Sequence, residues 1–151
     1  MTNLFKFHDH RPKTLEIGET FPNIKLTNGG YFNELVDDYL LVILLSVYCK
    51  ACISALEELS IFLEAHGPVN LLILADGPDE KIEYLRNEFP ENVSISKYAV
   101  HDMKEKLKTD NTPWLYGVAR NGVVLKSYVC GNEYYKLVYE DARASLDSNS
   151  G

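Results

Sequence analysis

The sequence predicts an α/β domain, with a mixed central sheet flanked by helices and an N-terminal β-hairpin extension. Residues 41–47 form an almost unbroken apolar run that suits a buried strand, and residues 69–75 form a second one. A segment of good helix formers joins the two runs, which indicates a parallel strand–helix–strand unit. Two further apolar segments, 114–119 and 123–129, flank an Arg-Asn-Gly turn and predict an antiparallel hairpin.

The hairpin extension is predicted near the start of the chain. Residues 14–32 contain a short apolar alternation and the dipeptide Asn28-Gly29, a strong signal for a two-residue hairpin turn. Residues 34–39 are predicted to form a short turn or helix that leads into the first core strand. Residues 1–13 are mainly polar, and we expect an arm that is partly ordered at best.

Helices are predicted where apolar residues recur at helical spacing. They follow the two core strands, a short strand candidate at 93–95 and the final hairpin, and their predicted spans are 53–66, 80–89, 101–108 and 132–144. The predicted organisation is an arm over residues 1–13, one globular domain over residues 14–144 and a flexible tail over residues 145–151.

Charge and composition exclude several function classes. A net charge of −7 and a pI near 5.1 argue against a general nucleic-acid binder, and no basic run is present. The first residues lack an apolar stretch of signal-peptide length, so we expect a cytoplasmic protein with no membrane partner. In a reducing compartment, three cysteines do not make a disulfide framework, and a Cys-x-x-Cys is more often catalytic or metal-binding.

The Cys-x-x-Cys, Cys49 to Cys52, lies where the first core strand turns into a helix. A helix start offers free N–H groups and a partial positive charge, which stabilise a thiolate. We expect Cys49 to be the nucleophile because it is nearer the exposed helix start, and Lys50 is a nearby cation that can assist. The spacing allows Cys52 to reach back and close a disulfide with Cys49. The sequence therefore predicts a thiol–disulfide oxidoreductase.

Further motifs make the chain resemble the thioredoxin superfamily. An aromatic residue, Tyr48, precedes the Cys-x-x-Cys at a strand–helix junction. The dipeptide Thr112-Pro113 precedes a later strand, and that strand continues through an Asn-Gly hairpin into Gly131. The resemblance covers residues 14–144 and implies a thioredoxin fold.

Finer features are similar to particular branches of that superfamily. The predicted N-terminal hairpin, with Gly18 and Phe21-Pro22, resembles the AhpC/TSA and TlpA-like branch. Residues 72–131 are similar in outline to methylamine dehydrogenase accessory proteins. The chain also resembles thioredoxin-like proteins of bacteriocin clusters of the sporulation-killing-factor type, which implies a role in peptide maturation.

The resemblance implies roles for particular residues. Pro113 would be a cis-proline that faces the disulfide, and the backbone of Thr112 would pair with a client chain as an added strand. The partner would be a protein or peptide client, and no cofactor is implied beyond the redox-active disulfide. The residues implied to shape the client-binding groove are Tyr48, Lys50, Ala51, Thr112, Pro113, Trp114, Cys130 and Gly131.

The chain departs from the thioredoxin pattern in ways that leave questions open. Thioredoxins carry a buried carboxylate where this chain has Ile43, so the proton acceptor for Cys52 is not identified. Glu57 and Glu58 are candidates, although surface charge is the better interpretation of both. Cys130 is either a functional thiol on the client-binding rim or an apolar filler at a strand end.

Three alternative functions follow from the same residues. A peroxidase of the AhpC/TSA kind is suggested by Ser46, three residues before Cys49, although Val42 stands where a proline is expected. A Cys₃His zinc site would use the three cysteines and a histidine, but a second close ligand pair is missing. The segment His8-Asp9-His10 is a further metal candidate. The last alternative is a redox-inactive binding module that keeps the fold.

Overall fold

The computed structural model describes residues 13–150, with side chains described as far as residue 144. It contains five strands and five helices in that range. The strands are β1 (Tyr39–Ser46), β2 (Leu71–Asp76), β3 (Val93–Lys97), β4 (Trp114–Ala119) and β5 (Val124–Val129). The helices are α1 (Phe32–Leu35), α2 (Lys50–His66), α3 (Asp79–Glu88), α4 (Val100–Leu107) and α5 (Asn132–Ser150).

The strands form one mixed sheet in the order β3-β2-β1-β4-β5. The first three strands are parallel, whereas β4 runs antiparallel to both β1 and β5. In the central strand, Ile43 pairs with Ile73 on one side and with Leu115 on the other. The predicted strand–helix–strand unit and C-terminal hairpin are both present, and the predicted fold class is confirmed.

Strand β1 is buried along its whole length because both faces of the sheet are covered. Alternate residues Leu41, Ile43 and Leu45 belong to the core on the face covered by α2, α3 and α5. The intervening residues face the opposite core, which is formed with α4 and the segment before β1. The end of β1 is therefore held rigidly from both sides, and α2 begins there.

The segment before β1 differs from the prediction of an N-terminal β-hairpin. Between residues 13 and 38, the structure has two isolated bridges, Thr20 with Val123 and Lys25 with Tyr31, and no strand. The chain does reverse near Gly29, which adopts a φ of 94°. However, Tyr31 is already the N-cap of α1, so the second arm enters a helix before a ladder can extend.

The C-terminal helix also differs from its predicted form. Helix α5 continues to Ser150, beyond the predicted end at Ala144, so the predicted tail is helical through 150. Its buried face is formed by Tyr135, Val138, Tyr139 and Ala142, whereas Leu137 is 40% exposed. Among residues 13–150, no helix has the length and the apolar run needed to cross a membrane. The predicted arm lies almost wholly outside the described residues.

Candidate active site

Cys49 is the N-cap residue of α2, in an extended conformation with φ −99° and ψ 121°. Its Sγ accepts the backbone N–H of Cys52 at 3.3 Å. The side chain is partly buried, and Tyr48 before it is 74% exposed. The thiol therefore has both a donor from the helix start and access to a partner molecule.

The surroundings of Cys49 favour its thiolate form. Burial opposes ionisation, but hydrogen bonds from the Cys52 thiol and the Cys52 N–H, together with smaller contributions from Thr112 and Ala51, outweigh burial and hold the pKa of Cys49 below its usual value. Lys50 is exposed and is not among the groups responsible. Hydrogen bonds to the sulfur therefore account for the lowered pKa of Cys49, and assistance from the Lys50 cation stays a prediction.

Cys52 has the opposite character. Its side chain is 1% exposed, and its Sγ accepts the N–H of Ser46 at 3.4 Å. Burial, with a further contribution from Cys49, raises the pKa of Cys52 to about 12. Helix α2 thus presents one accessible thiol that ionises readily and one buried thiol that stays protonated at neutral pH.

The loop before β4 brings a distant segment to Cys49. The Thr112–Pro113 peptide bond is cis, and the Cys49 thiol donates to the Thr112 carbonyl oxygen at 3.8 Å. Trp114 pairs with Leu44 of β1. The indole Nε1–H of Trp114 donates to Ser127 Oγ at 2.8 Å, which holds the ring against β5. The antiparallel pairing of β1 and β4 is what places this loop beside the Cys-x-x-Cys.

Cys130 and Gly131 lie between β5 and α5. The Cys130 side chain is partly buried, and burial raises the pKa of its thiol to about 12, against a lowering contribution from the Tyr135 hydroxyl. Tyr135 donates from its hydroxyl to the Ala55 carbonyl at 2.9 Å and so joins α5 to α2. Cys130 packs against the same core cluster as Cys52.

The remaining predicted groove residues lie in the first turn of α2 and in the loop that leads into β4. Lys50 and Ala51 form the exposed first turn of α2. Pro113 is buried, whereas Thr112 and Trp114 are partly buried. Thr112 contacts the sulfur through its carbonyl oxygen, and the part of all these positions in binding a client stays a prediction.

Sequence reasoning missed two features of the site. One is Tyr135, whose hydroxyl donates to Ala55 O of α2 and which no sequence motif singles out. The two candidate glutamates differ: Glu57 is exposed, whereas Glu58 Oε2 accepts the N–H of Asn132 at 3.2 Å. The positions of the two glutamates along the helix give only a weak signal for this difference in the sequence. The difference depends on where α5 packs against α2.

The geometry gives little support to the alternative functions. The Ser46 hydroxyl accepts the N–H of Tyr48 at 3.3 Å, so it is engaged with the backbone. Among the side chains described between residues 13 and 144, no group of three or more His, Cys, Asp or Glu residues could hold a metal ion. The candidate His8-Asp9-His10 lies outside the described residues.

Comparison of the sequence with known proteins finds no matching family model and no matching curated relative. Solved structures, in contrast, are similar in fold. The thioredoxin domain of a thiol-disulfide oxidoreductase from Bacteroides vulgatus has a TM-score of 0.67 at 17% identity, over 85% of this chain and 99% of that one. A thiol:disulfide interchange protein from Bacteroides sp. has a TM-score of 0.66 at 17% identity, over 85% and 91%.

A third similar structure is the dsbF of MTB, solved in mixed oxidised and reduced forms. Its TM-score is 0.62 at 12% identity, over 82% of this chain and 96% of that one. At these identities the likeness establishes the fold, and the chemistry has to be argued from the residues of this chain. The mixed sheet, its flanking helices and these likenesses together identify the architecture: the chain has a thioredoxin-like fold.

Proposed function

We propose that this protein is a thiol–disulfide oxidoreductase that acts on a protein or peptide client through Cys49 and Cys52. The observation that carries the proposal is the contrast between the two thiols. Cys49 is partly exposed with a lowered pKa, and Cys52 is buried with a pKa of about 12. Exchange chemistry needs such a division, because one sulfur must attack and the other must wait.

The reaction proceeds in two exchanges. The Cys49 thiolate attacks one sulfur of a client disulfide, which forms a mixed disulfide and releases the other client sulfur as a thiolate. Cys52 then loses its proton and attacks Cys49 Sγ, which forms the Cys49–Cys52 disulfide and releases the second client sulfur. The client is reduced by two electrons and the protein is oxidised by two. The reverse sequence oxidises a client dithiol.

Client binding is supported by what surrounds Cys49. The carbonyl oxygen of Thr112 lies 3.8 Å from the sulfur, so an extended client backbone that pairs with this loop would bring its own sulfur alongside. Tyr48, the residue before Cys49, is a large hydrophobic side chain that is 74% exposed. It favours a client with an apolar residue beside its cysteine.

The finer predictions from the sequence concern the client and the compartment. A dedicated client in peptide maturation, as in bacteriocin clusters, and a cytoplasmic location are both proposals that rest on the resemblance and on the N-terminal composition. A client isolated as a mixed disulfide would test the first of these directly, because its sequence identifies the pathway.

The test of the function is an equilibrium titration of the thiols. Reduced protein is equilibrated with glutathione buffers of graded potential, and the Cys49–Cys52 disulfide is counted by mass after the free thiols are alkylated. A potential near ~−270 mV would indicate a reductant, and one above about −180 mV a disulfide-forming oxidant. Absence of this disulfide at every potential would contradict the proposal and leave the binding module as the better reading.

A further inference from the structure

Ser46, the last residue of β1, is a buried polar residue beside the two cysteines. Its side chain is only 7% exposed. The pairing of β1 with β4 ends two residues earlier, at Leu44 and Trp114. Beyond that point, the N–H of Ser46 donates to Cys52 Sγ at 3.4 Å. The end of the strand therefore contacts the buried sulfur directly.

The other two polar groups of Ser46 hold the turn that leads to Cys49. The Ser46 carbonyl oxygen accepts the N–H of Cys49 at 3.1 Å, which closes a four-residue turn. The Ser46 hydroxyl oxygen accepts the N–H of Tyr48, which lies inside this turn, at 3.3 Å. Serine hydroxyls that bond a backbone N–H two residues further on stabilise turns in this way. The N–H, the carbonyl and the hydroxyl of Ser46 are thus all engaged by residues 48–52.

The first half of the turn is fixed by the neighbouring strand. Val47 donates its N–H to Asp76 O, at the end of β2, at 2.9 Å. A Cβ atom built on Gly77 would lie 2.6 Å from Val47 Cγ2, so the loop after β2 packs against this turn as closely as a glycine allows. Because Val47 is held in this way, the turn can relax mainly at Tyr48, where the Ser46 hydroxyl binds.

The environment of the Cys49 sulfur depends on the shape of this turn. Cys49 Sγ accepts the N–H of Cys52 at 3.3 Å, and the thiol donates to Thr112 O at 3.8 Å. Hydrogen bonds to the sulfur favour the thiolate. From the elements packed around Cys49, helix α2 contributes the titratable Cys52 and the loop before β4 contributes the uncharged Thr112. A turn that loosened at Tyr48 would move the sulfur away from the donors that stabilise its charge.

We propose that Ser46 is a positioning residue for thiol exchange, whose hydroxyl fixes the turn that holds the Cys49 sulfur against the N–H of Cys52. The inference rests on the proposed function, because these two thiols carry out the exchange. Any residue at position 46 supplies the N–H and the carbonyl, but a side-chain acceptor is needed to bind the N–H of Tyr48. Substitution can therefore remove the hydroxyl contact and leave the backbone contacts in place.

The experiment separates the hydroxyl from the shape of the side chain. Ser46→Ala removes the hydroxyl, Ser46→Thr keeps it and adds a methyl group, and Ser46→Val has a shape similar to that of Ser46→Thr without the hydroxyl. Ser96→Ala is the matched control. Ser96 is a second buried serine, 3% exposed, and its hydroxyl oxygen accepts the N–H of Thr27 at 2.9 Å on the edge strand β3.

Each reduced variant is alkylated with iodoacetamide from pH 5 to 10, and the rate at Cys49 is obtained by peptide mapping. Below the pKa of Cys49 the rate follows the thiolate fraction, and we expect Ser46→Ala and Ser46→Val to lower it about threefold to tenfold. The rates of all variants should converge near pH 10, where the thiol is ionised in each of them. Ser46→Thr and Ser96→Ala should follow the wild-type profile.

A wild-type profile in Ser46→Ala, or a deficit of equal size at every pH, would overturn the assignment. A deficit in Ser46→Thr as large as that in Ser46→Val would also overturn it, and so would an equal deficit in Ser96→Ala. If Ser46→Val does not fold, the comparison of Ser46→Ala with Ser46→Thr still decides. Alkylation needs no exchange step, so a wild-type protein that never forms the Cys49–Cys52 disulfide in glutathione buffers would instead contradict the proposed function.

Discussion

Two strand-to-helix junctions of this protein carry a cysteine, and the hydrogen bonding at the helix start differs between them. Cys49 lies between β1 and α2 as the helix N-cap, and its sulfur accepts the N–H of Cys52. Cys130 lies between β5 and α5, just before the helix begins. There the N–H of Asn132 donates to Glu58 rather than to the thiol.

The two thiols consequently differ in acidity. The pKa of Cys49 lies below its usual value, whereas burial raises that of Cys130 to about 12. A helix start therefore activates a thiol only where the sulfur itself accepts the free N–H groups. A carboxylate in that position removes the benefit, and its charge makes a neighbouring thiolate less stable.

The largest expected difference between the junctions is in exchange activity. Cys49→Ser should lower the rate of disulfide reduction by about a thousandfold or more, because the nucleophile is lost. Cys130→Ser should lower it by at most about tenfold, because burial raises the pKa of Cys130 to about 12 and keeps this thiol protonated at neutral pH. The rate at which each variant reduces a peptide disulfide, with dithiothreitol as the electron source, measures both effects. Comparable losses of activity in the two variants would indicate that Cys130 takes part in the redox couple.

A second difference is in the pH dependence of alkylation. Because the thiolate is the reactive form, the lowered pKa of Cys49 moves its reaction with iodoacetamide to lower pH. Cys130, with a pKa of about 12, stays protonated from pH 6 to 9, so its rate should rise about tenfold per pH unit throughout. Peptide mapping by mass spectrometry gives the rate at each cysteine. At pH 7, Cys49 should react at least about a hundredfold faster.

The Cys130 junction also makes a testable contribution to stability. Tyr135→Phe removes the hydroxyl that donates to Ala55 O and should lower the free energy of unfolding by about 1–2 kcal/mol. Tyr84→Phe is the matched control, because Tyr84 is 63% exposed on α3. Urea titration monitored by circular dichroism measures the free energy of unfolding of both variants. Equal stability of the two variants would show that the Tyr135 hydroxyl does not stabilise the α2–α5 contact.

The smallest expected effect belongs to Lys50. Its side chain is exposed, and it is not among the groups that lower the pKa of Cys49. Lys50→Ala should therefore change the alkylation rate of Cys49 at pH 7 by less than about threefold, since exposed charge pairs contribute little. A larger decrease would show that the lysine cation activates the thiol, as the sequence alone suggested.

Much of the fold could be predicted because its signals are local. Apolar runs, helical spacing and turn residues identified the central strand, the strand–helix–strand unit and the C-terminal hairpin. The prediction of an N-terminal hairpin was wrong, because α1 begins where the second arm of the hairpin would continue. The end of α5 was also missed, since the residues after Ala144 give no clear apolar pattern in the sequence.

The sequence by itself determined that two cysteines meet a helix start, because the strand run, the Cys-x-x-Cys and the helical spacing are consecutive. Only the tertiary structure decided which distant groups surround them. The Thr112 carbonyl reaches Cys49 through the pairing of β4 with β1, and the packing of α5 on α2 distinguishes Glu58 from Glu57. These contacts join residues far apart in the chain, and no local pattern encodes the direction in which such side chains meet.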